Sequence, residues 1–182
     1  MKKFLFAIAA GCCLTAFQVN ADALSILRNT RIKSEQTVSV NNLTNLYQVV
    51  VSHFEGSRKY PTLEELNLPA RTLANPYHGL ATQQRVPDKI TAGNAGYAYF
   101  GAALNGAGAV DAASTPLAFE KPSIRDDGKI VVLFLSGKVD TVSVNAKNCE
   151  EVVKALQEKS AKSDAPAWNK LISAAKAIDS AK

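Results

Sequence analysis

The first part of the chain has the three zones of an export signal. Two lysines follow the first Met, and an almost unbroken apolar run covers residues 4–17. Ala21 and Ala23 then supply the small residues that signal peptidase requires. The apolar run is shorter than the ~20 residues of a membrane-spanning helix. We therefore expect residues 1–23 to be a signal peptide and residues 24–182 to be one exported globular domain without a transmembrane span.

A second interpretation of the leader involves Cys12. This cysteine follows Ala-Ala-Gly and resembles the lipid-attachment site of lipoproteins, in which it would become the new N-terminus. The sequence has Ala9 where such sites usually have leucine, and the apolar stretch before it is short. Cleavage after Ala23 is the favoured alternative. Either route places the mature protein in the periplasm, at the cell surface or in the medium.

Cysteine content limits how the mature fold is stabilised. A chain cut after Ala23 keeps only Cys149, so it forms no internal disulfide and must rely on a packed core. We interpret Cys149 as a small apolar residue in the first turn of a helix. The alternatives are an intermolecular bridge or a reactive thiol.

The remaining chemistry-bearing residues do not form a recognisable catalytic or metal motif. His53 is predicted to pack on a helix, and His78 lies in a predicted loop without an acid or cysteine at ligand spacing. Asp126 and Asp127 are interpreted as a solvated turn rather than a calcium site. The net charge is +5, but the basic residues are scattered, which argues against nucleic-acid binding. We expect no enzyme activity and no cofactor.

Apolar spacing predicts an α+β fold. Residues recur at three- and four-residue spacing from Leu43 to Phe54, which indicates a helix that ends at Gly56. Thr62 and Glu65 have the spacing of a capping box on a short helical turn.

Strands and further helices are predicted after this turn. The strand candidates are residues 96–103, 115–120, 130–135 and 138–144. Ser136 and Gly137 are predicted to form a two-residue hairpin turn between the last two. Asn148 is expected to cap a helix over 150–159, and Asp164 to open a final helix that carries Trp168. A helix, antiparallel hairpins and two more helices make an α+β domain.

The first predicted helix carries a sequence motif that is known from a protein family. Asn41, Asn42 and Leu43 precede the tight apolar spacing, and Tyr60-Pro61 follows the turn after the helix. This order resembles the start of the globular head in bacterial type IV pilin-like and pseudopilin-like proteins. The resemblance implies an N-terminal helix packed on a small antiparallel sheet.

The later hairpin carries the second part of the resemblance. Glu120 ends the second strand candidate, and Gly137 lies in the turn between the last two. This segment is similar to the closing hairpin of a pilin-like subgroup named for a pattern of His, nine residues, Asp and Gly. Ser136 and Lys138 replace the Asp and His of that pattern, and Ser39 stands where a cysteine commonly precedes Asn-Asn-Leu.

The membrane helix of a filament subunit is not recognisable in the sequence. Residues 4–17 have no prepilin Glu, and residues 24–40 are too polar for such a helix. The resemblance then implies a detached pilin-like head, a structural or interaction protein of the cell envelope or of a secretion or pilus apparatus. We expect protein partners and a monomer or small oligomer. The alternative is a secreted module that binds a host, glycan or protein partner through exposed aromatics such as Tyr77 and Tyr99, or through its glycine-rich loops.

Overall fold

The computed structural model describes residues 2–75, 86–124, 127–162 and 166–181, with side chains from residue 25 onward. Four residues with predicted roles lie outside these ranges, namely Tyr77, His78, Asp126 and Asp164. Cys12, Ala21 and Ala23 lie in the helical part whose side chains are not described. Lipidation and signal cleavage therefore stay predictions.

The chain divides into two compact units, residues 1–37 and 38–182. The first helix, α1, covers Lys2–Ser57 and contributes to both units. In the first unit, the Arg31 side chain pairs with the Glu35 carboxylate one turn away, at 2.6 Å. No helix within the described residues combines the length and apolarity needed to cross a membrane.

The part of α1 in the second unit forms one layer of the core. Leu43, Leu46 and Val50 are buried at three- and four-residue spacing, as predicted. The helix ends one residue after the predicted Gly56. Arg58 follows the helix with φ at +57°, and its amide donates to the Phe54 carbonyl at 2.7 Å. This left-handed residue at the helix end is a position that glycine usually fills.

A four-stranded antiparallel sheet forms the second layer. Its strands are β1 at Tyr97–Tyr99, β2 at Pro116–Glu120, β3 at Lys129–Phe134 and β4 at Val139–Ser143. They lie side by side in chain order. Central strands β2 and β3 are buried on both faces except at the first residue of β3.

The predicted strand over residues 96–103 is shorter in the structure. After Tyr97–Tyr99 the chain turns into a single helical turn, α3, at Gly101–Leu104, with α2 at Ala70–Leu73 earlier in the chain. A Cβ atom on Gly101 would overlap the Tyr99 ring, so glycine allows the chain to turn beside β1. The alanines that follow Gly101 favour helix over strand.

The hairpin between β3 and β4 also differs from the prediction. Its loop has three residues, from Leu135 to Gly137, because the Phe134 amide still pairs with the Lys138 carbonyl at 2.9 Å. The Gly137 amide donates back to the Phe134 carbonyl at 2.9 Å, and Gly137 has φ at +84°. A turn followed by a left-handed glycine is the usual geometry of a three-residue hairpin loop.

The two C-terminal helices are present and pack on each other. They are α4 at Cys149–Glu158 and α5 at Ala167–Ser180. The Asn148 side chain accepts from the Glu151 amide at 2.8 Å, which confirms the predicted cap. Asp179 of α5 accepts from the first two amides of α4, at 2.9 and 3.0 Å. The structure thus has the predicted α+β class: a long N-terminal helix, an antiparallel sheet and C-terminal helices.

Gly137 provides a direct test of the contact between the hairpin and α1. An alanine Cβ there would lie 2.6 Å from a ring carbon of Tyr47, in addition to the cost of the left-handed backbone. We expect Gly137→Ala to lower the free energy of unfolding by about 2–4 kcal/mol, measured by chemical denaturation.

Gly128→Ala is the matched control for this substitution. Gly128 also has a left-handed backbone, with φ at +67°, but a Cβ there would meet nothing within 4 Å. We expect it to cost about 1 kcal/mol. Equal losses in the two variants would show that Tyr47 does not press on the hairpin.

Candidate functional site

A polar network lies buried between α1 and the sheet. Ser39 of α1 and Glu120 at the end of β2 are both fully buried, at 0 % exposure. The Ser39 hydroxyl donates to one carboxylate oxygen of Glu120. The Val131 amide of β3 donates to the other carboxylate oxygen at 3.0 Å. One buried carboxylate thus joins the helix to two neighbouring strands.

Two more side chains extend this network. The Tyr97 hydroxyl of β1 donates to the Ser39 oxygen at 3.2 Å. The Asn42 side-chain amide of α1 donates in turn to the Tyr97 oxygen at 3.1 Å. We call Ser39, Asn42, Tyr97, Glu120 and Val131 the Glu120 network.

Every hydrogen bond of the Glu120 network is donated in the direction of the Glu120 carboxylate. Each hydroxyl uses its single proton toward the carboxylate, and both ends of the network supply N–H donors. An ionised carboxylate accepts hydrogen bonds and donates none, so this arrangement suits a charged Glu120. Such bonds are what allow a charge to remain in a buried position.

Burial also changes the acidity of Tyr97. Loss of solvent is the main cause that raises the pKa of its hydroxyl to about 12, and the nearby Glu120 charge adds to this effect. The bonds with Ser39 and Asn42 act in the opposite direction. Tyr97 therefore keeps its proton, and its place in the network, through the physiological pH range.

A second set of contacts holds the chain where it leaves α1. The side-chain amide of Asn105 accepts from the Tyr60 amide and donates to the Tyr60 carbonyl, both at 2.9 Å. The Tyr99 hydroxyl donates to the Pro61 carbonyl at 3.0 Å. The Tyr60 ring packs on Phe54, with ring centroids 4.7 Å apart. The backbone after the helix is thereby fastened to α3 and β1.

With one exception, the residues that carried the pilin-like resemblance lie in these contacts, in the apolar core or in the contact of the hairpin with α1. Asn42 and Glu120 belong to the Glu120 network, and Leu43 is fully buried beside it in the core. Tyr60 and Pro61 are fastened by Asn105 and Tyr99, and Gly137 lies against Tyr47 of α1. Asn41 is exposed and is not brought to the site.

His53 and Cys149, which are predicted to be packing residues, both lie in contact with other groups of the fold. His53 is half-buried at the end of α1, with its Nδ1 atom 3.1 Å from the Ser57 hydroxyl. Cys149 is 1 % exposed and lies in the first turn of α4, where it was predicted. Burial raises the pKa of its thiol, and Asp179 adds to the shift. Among the described residues, no three His, Cys, Asp or Glu side chains are grouped to hold a metal ion.

The surface has two neighbouring cavities beside the turn at residues 62–66. One has a volume of about 260 Å³ and is lined in part by Tyr97 and Tyr99, and the other has about 240 Å³ and is lined in part by Asp88. Leu63 and Glu64 line both. The expectation that Tyr99 is an exposed aromatic is met only in part: the residue lines the first cavity, but it is half-buried and its hydroxyl is bonded to Pro61.

Sequence reasoning missed three polar residues that fasten the fold. Besides Asn105 and Asp179, Lys121 donates to the backbone carbonyls of Ala92 and Gly93, at 2.6 and 2.9 Å. All three bind backbone groups far away in the chain, so their local sequence carries little signal. For Asn105, the glycine that follows it was the available indication, because an Asn-Gly pair marks a turn.

Comparison of the chain with protein-family models, with curated proteins and with solved structures finds no match. The geometry defines an α+β unit whose first helix and sheet are joined by a buried carboxylate. The pilin-like resemblance rests on the residues named above and stays a prediction.

Ser39→Ala tests the contribution of the Glu120 network to stability. The substitution removes a donor to a buried carboxylate and the acceptor for Tyr97, so we expect a loss of about 1–3 kcal/mol in the free energy of unfolding. Ser52→Ala is the matched control, because Ser52 lies on the exposed side of α1. It should change stability by less than about 0.5 kcal/mol. Similar values for both serines, by urea denaturation, would contradict a role for the network.

The raised pKa of Tyr97 predicts that the free energy of unfolding depends on pH above 10.0, the ordinary pKa of tyrosine. Between about pH 10 and 12, the folded protein keeps the Tyr97 proton while the unfolded chain loses it. The unfolded state then binds fewer protons, so stability falls as the pH rises through this window. At about pH 11 the loss due to Tyr97 should be about 1 kcal/mol, and Tyr97→Phe should remove it.

The measurement compares urea denaturation at about pH 8 and pH 11. Tyr47→Phe controls for removal of a tyrosine hydroxyl outside the Glu120 network. An unchanged pH slope in Tyr97→Phe would show that Tyr97 is not the titrating group.

Proposed function

We propose that this protein is an exported, non-enzymatic, pilin-like structural or interaction protein of the cell envelope or of a secretion or pilus apparatus. The observation that carries the proposal is the attachment of α1 to the sheet. The segments with the two parts of the resemblance meet there, through the Glu120 network and the contact of Gly137 with Tyr47.

The Glu120 network suits a protein that acts through the shape of its surface rather than through a chemical reaction. A buried charge gives little net stability compared with apolar packing, but its directed hydrogen bonds can select one arrangement of the chain. Here they favour one rotation and one height of residues 38–57 of α1 on the sheet. A subunit that works through the shape of its surface requires such a fixed arrangement.

The surroundings of the reactive groups support the same proposal. Cys149 is buried in a helix start, His53 contacts the end of α1, and Glu120 accepts bonds from α1 and β3. Each of these groups has a role in holding the fold. The leader pattern and the absence of a second cysteine outside it suit a chain that is exported and stabilised by its core.

The first experiment determines the N-terminus of the exported protein by mass spectrometry of cell fractions. We expect a chain that starts at Leu24 and is found outside the cytoplasm. Double substitution of Ala21 and Ala23 by arginine should block cleavage, because signal peptidase needs small residues there. Cys12→Ser should leave processing unchanged, whereas a change would indicate lipidation.

A second measurement tests the role in the envelope. Cross-linking of the native protein in its own cells should recover neighbours from a pilus or secretion apparatus, and the purified mature protein should be a monomer or small oligomer. Spontaneous filaments of the pure protein would contradict a detached head. A cytoplasmic, uncleaved chain would contradict the proposal as a whole.

A further inference from the structure

The cavity of about 260 Å³ combines an apolar wall with one carboxylate. Leu63, Ala102 and Ile178 line it together with the two tyrosines of β1 and with Glu64. Both tyrosine hydroxyls are already bonded, Tyr97 to Ser39 and Tyr99 to Pro61, so these residues offer mainly their rings. The wall is therefore suited to an aliphatic or cationic group.

Among the described residues that line the cavity, Glu64 is the one with a charge. Its neighbour Glu65 is occupied, since its carboxylate accepts from the Thr62 amide at 2.7 Å within the capping box. This backbone bond is the main cause that lowers the pKa of Glu65. Glu64 is exposed, and its carboxylate has no hydrogen bond or ion pair with any residue that the structure describes.

We propose that this cavity binds a lysine side chain of a protein partner. The four methylenes of lysine would lie on the apolar wall, while the ammonium group would meet Glu64 at the rim, as lysines do at apolar surfaces. The tyrosine rings add attraction for a cation within about 6 Å of a ring. The cavity is smaller than the ~300 Å³ at which pockets for drug-sized ligands begin, and it suits a single side chain.

This inference names the kind of contact through which the proposed interaction protein would recognise its partner, and to that extent it rests on the proposed function. Binding of lysine to the purified protein can nevertheless be measured apart from export and assembly. A failure to bind would leave the mature N-terminus and the envelope neighbours unchanged. A cytoplasmic location would contradict the proposed function but would leave the binding of lysine to the cavity unaffected.

The test titrates the purified protein with Nα-acetyl-lysine N-methylamide and follows backbone amide shifts by NMR. We expect saturable shifts at Leu63, Glu64 and Ala102, with a dissociation constant on the order of 1 mM, as for one small contact. Nα-acetyl-norleucine N-methylamide has a similar stem without the charge and should bind at least about threefold more weakly. Equal binding of the two compounds would overturn the proposal.

Glu64→Gln should weaken lysine binding about three- to fivefold, which is the upper part of the range for one exposed ion pair. Glu55→Gln is the matched control, since Glu55 is also exposed but lies on α1 and does not line the cavity. It removes the same charge and should leave binding unchanged. Equal weakening by both variants would indicate general charge attraction and would overturn a specific site, as would an absence of saturable shifts in the wild-type protein.

Discussion

The buried carboxylate of Glu120 requires hydrogen-bond donors from other elements of the second unit, residues 38–182. A buried carboxylate needs hydrogen bonds on its oxygens, and here two of them come from α1 through Ser39 and from β3 through Val131. Apolar packing is not directional, so burial of Leu43, Leu46 and Val50 specifies the position of the helix on the sheet less sharply than hydrogen bonds do. Directed bonds to a single carboxylate restrict that freedom. The register of helix on sheet thus depends on a polar contact within an apolar layer.

The other polar contacts extend this restraint to the ends of the elements. Asn105 holds the backbone of Tyr60 after α1, and the Lys170 ammonium of α5 donates to the carbonyl of Gly106 at 2.8 Å. Asp179 of α5 caps α4 in the same manner. Polar side chains therefore connect helices to loops and to each other, while the core is apolar apart from the Glu120 network. The fold uses packing for stability and a few hydrogen bonds for position.

Local patterns predicted the elements better than their contacts. The spacing of Leu43 and Val50 indicated the helix, and Asn148 indicated the start of α4, because both signals lie within a few residues. The strand at residues 96–103 was predicted too long, since aromatic residues favour strands while the requirement for glycine beside Tyr99 arises only in the folded chain. The predicted two-residue hairpin turn is one residue too short, because the pairing of the Phe134 amide with the Lys138 carbonyl, which sets the length of the loop, also arises only in the folded chain. Ser39 and Glu120 were both noticed in the sequence, but nothing local indicates that residues 81 positions apart share a hydrogen bond.

That separation has a consequence for the order in which the fold is assembled. Bonds between β-strands that follow each other join nearby residues, as in the pairing of Leu133 with Val139. The bonds of α1 to the sheet span 55 to 81 residues, and long loops close slowly. The helix is synthesised first, yet its polar partners arrive only with the middle of the chain. We expect the hairpins to form early and α1 to dock late, so that until then its apolar side remains available to chaperones.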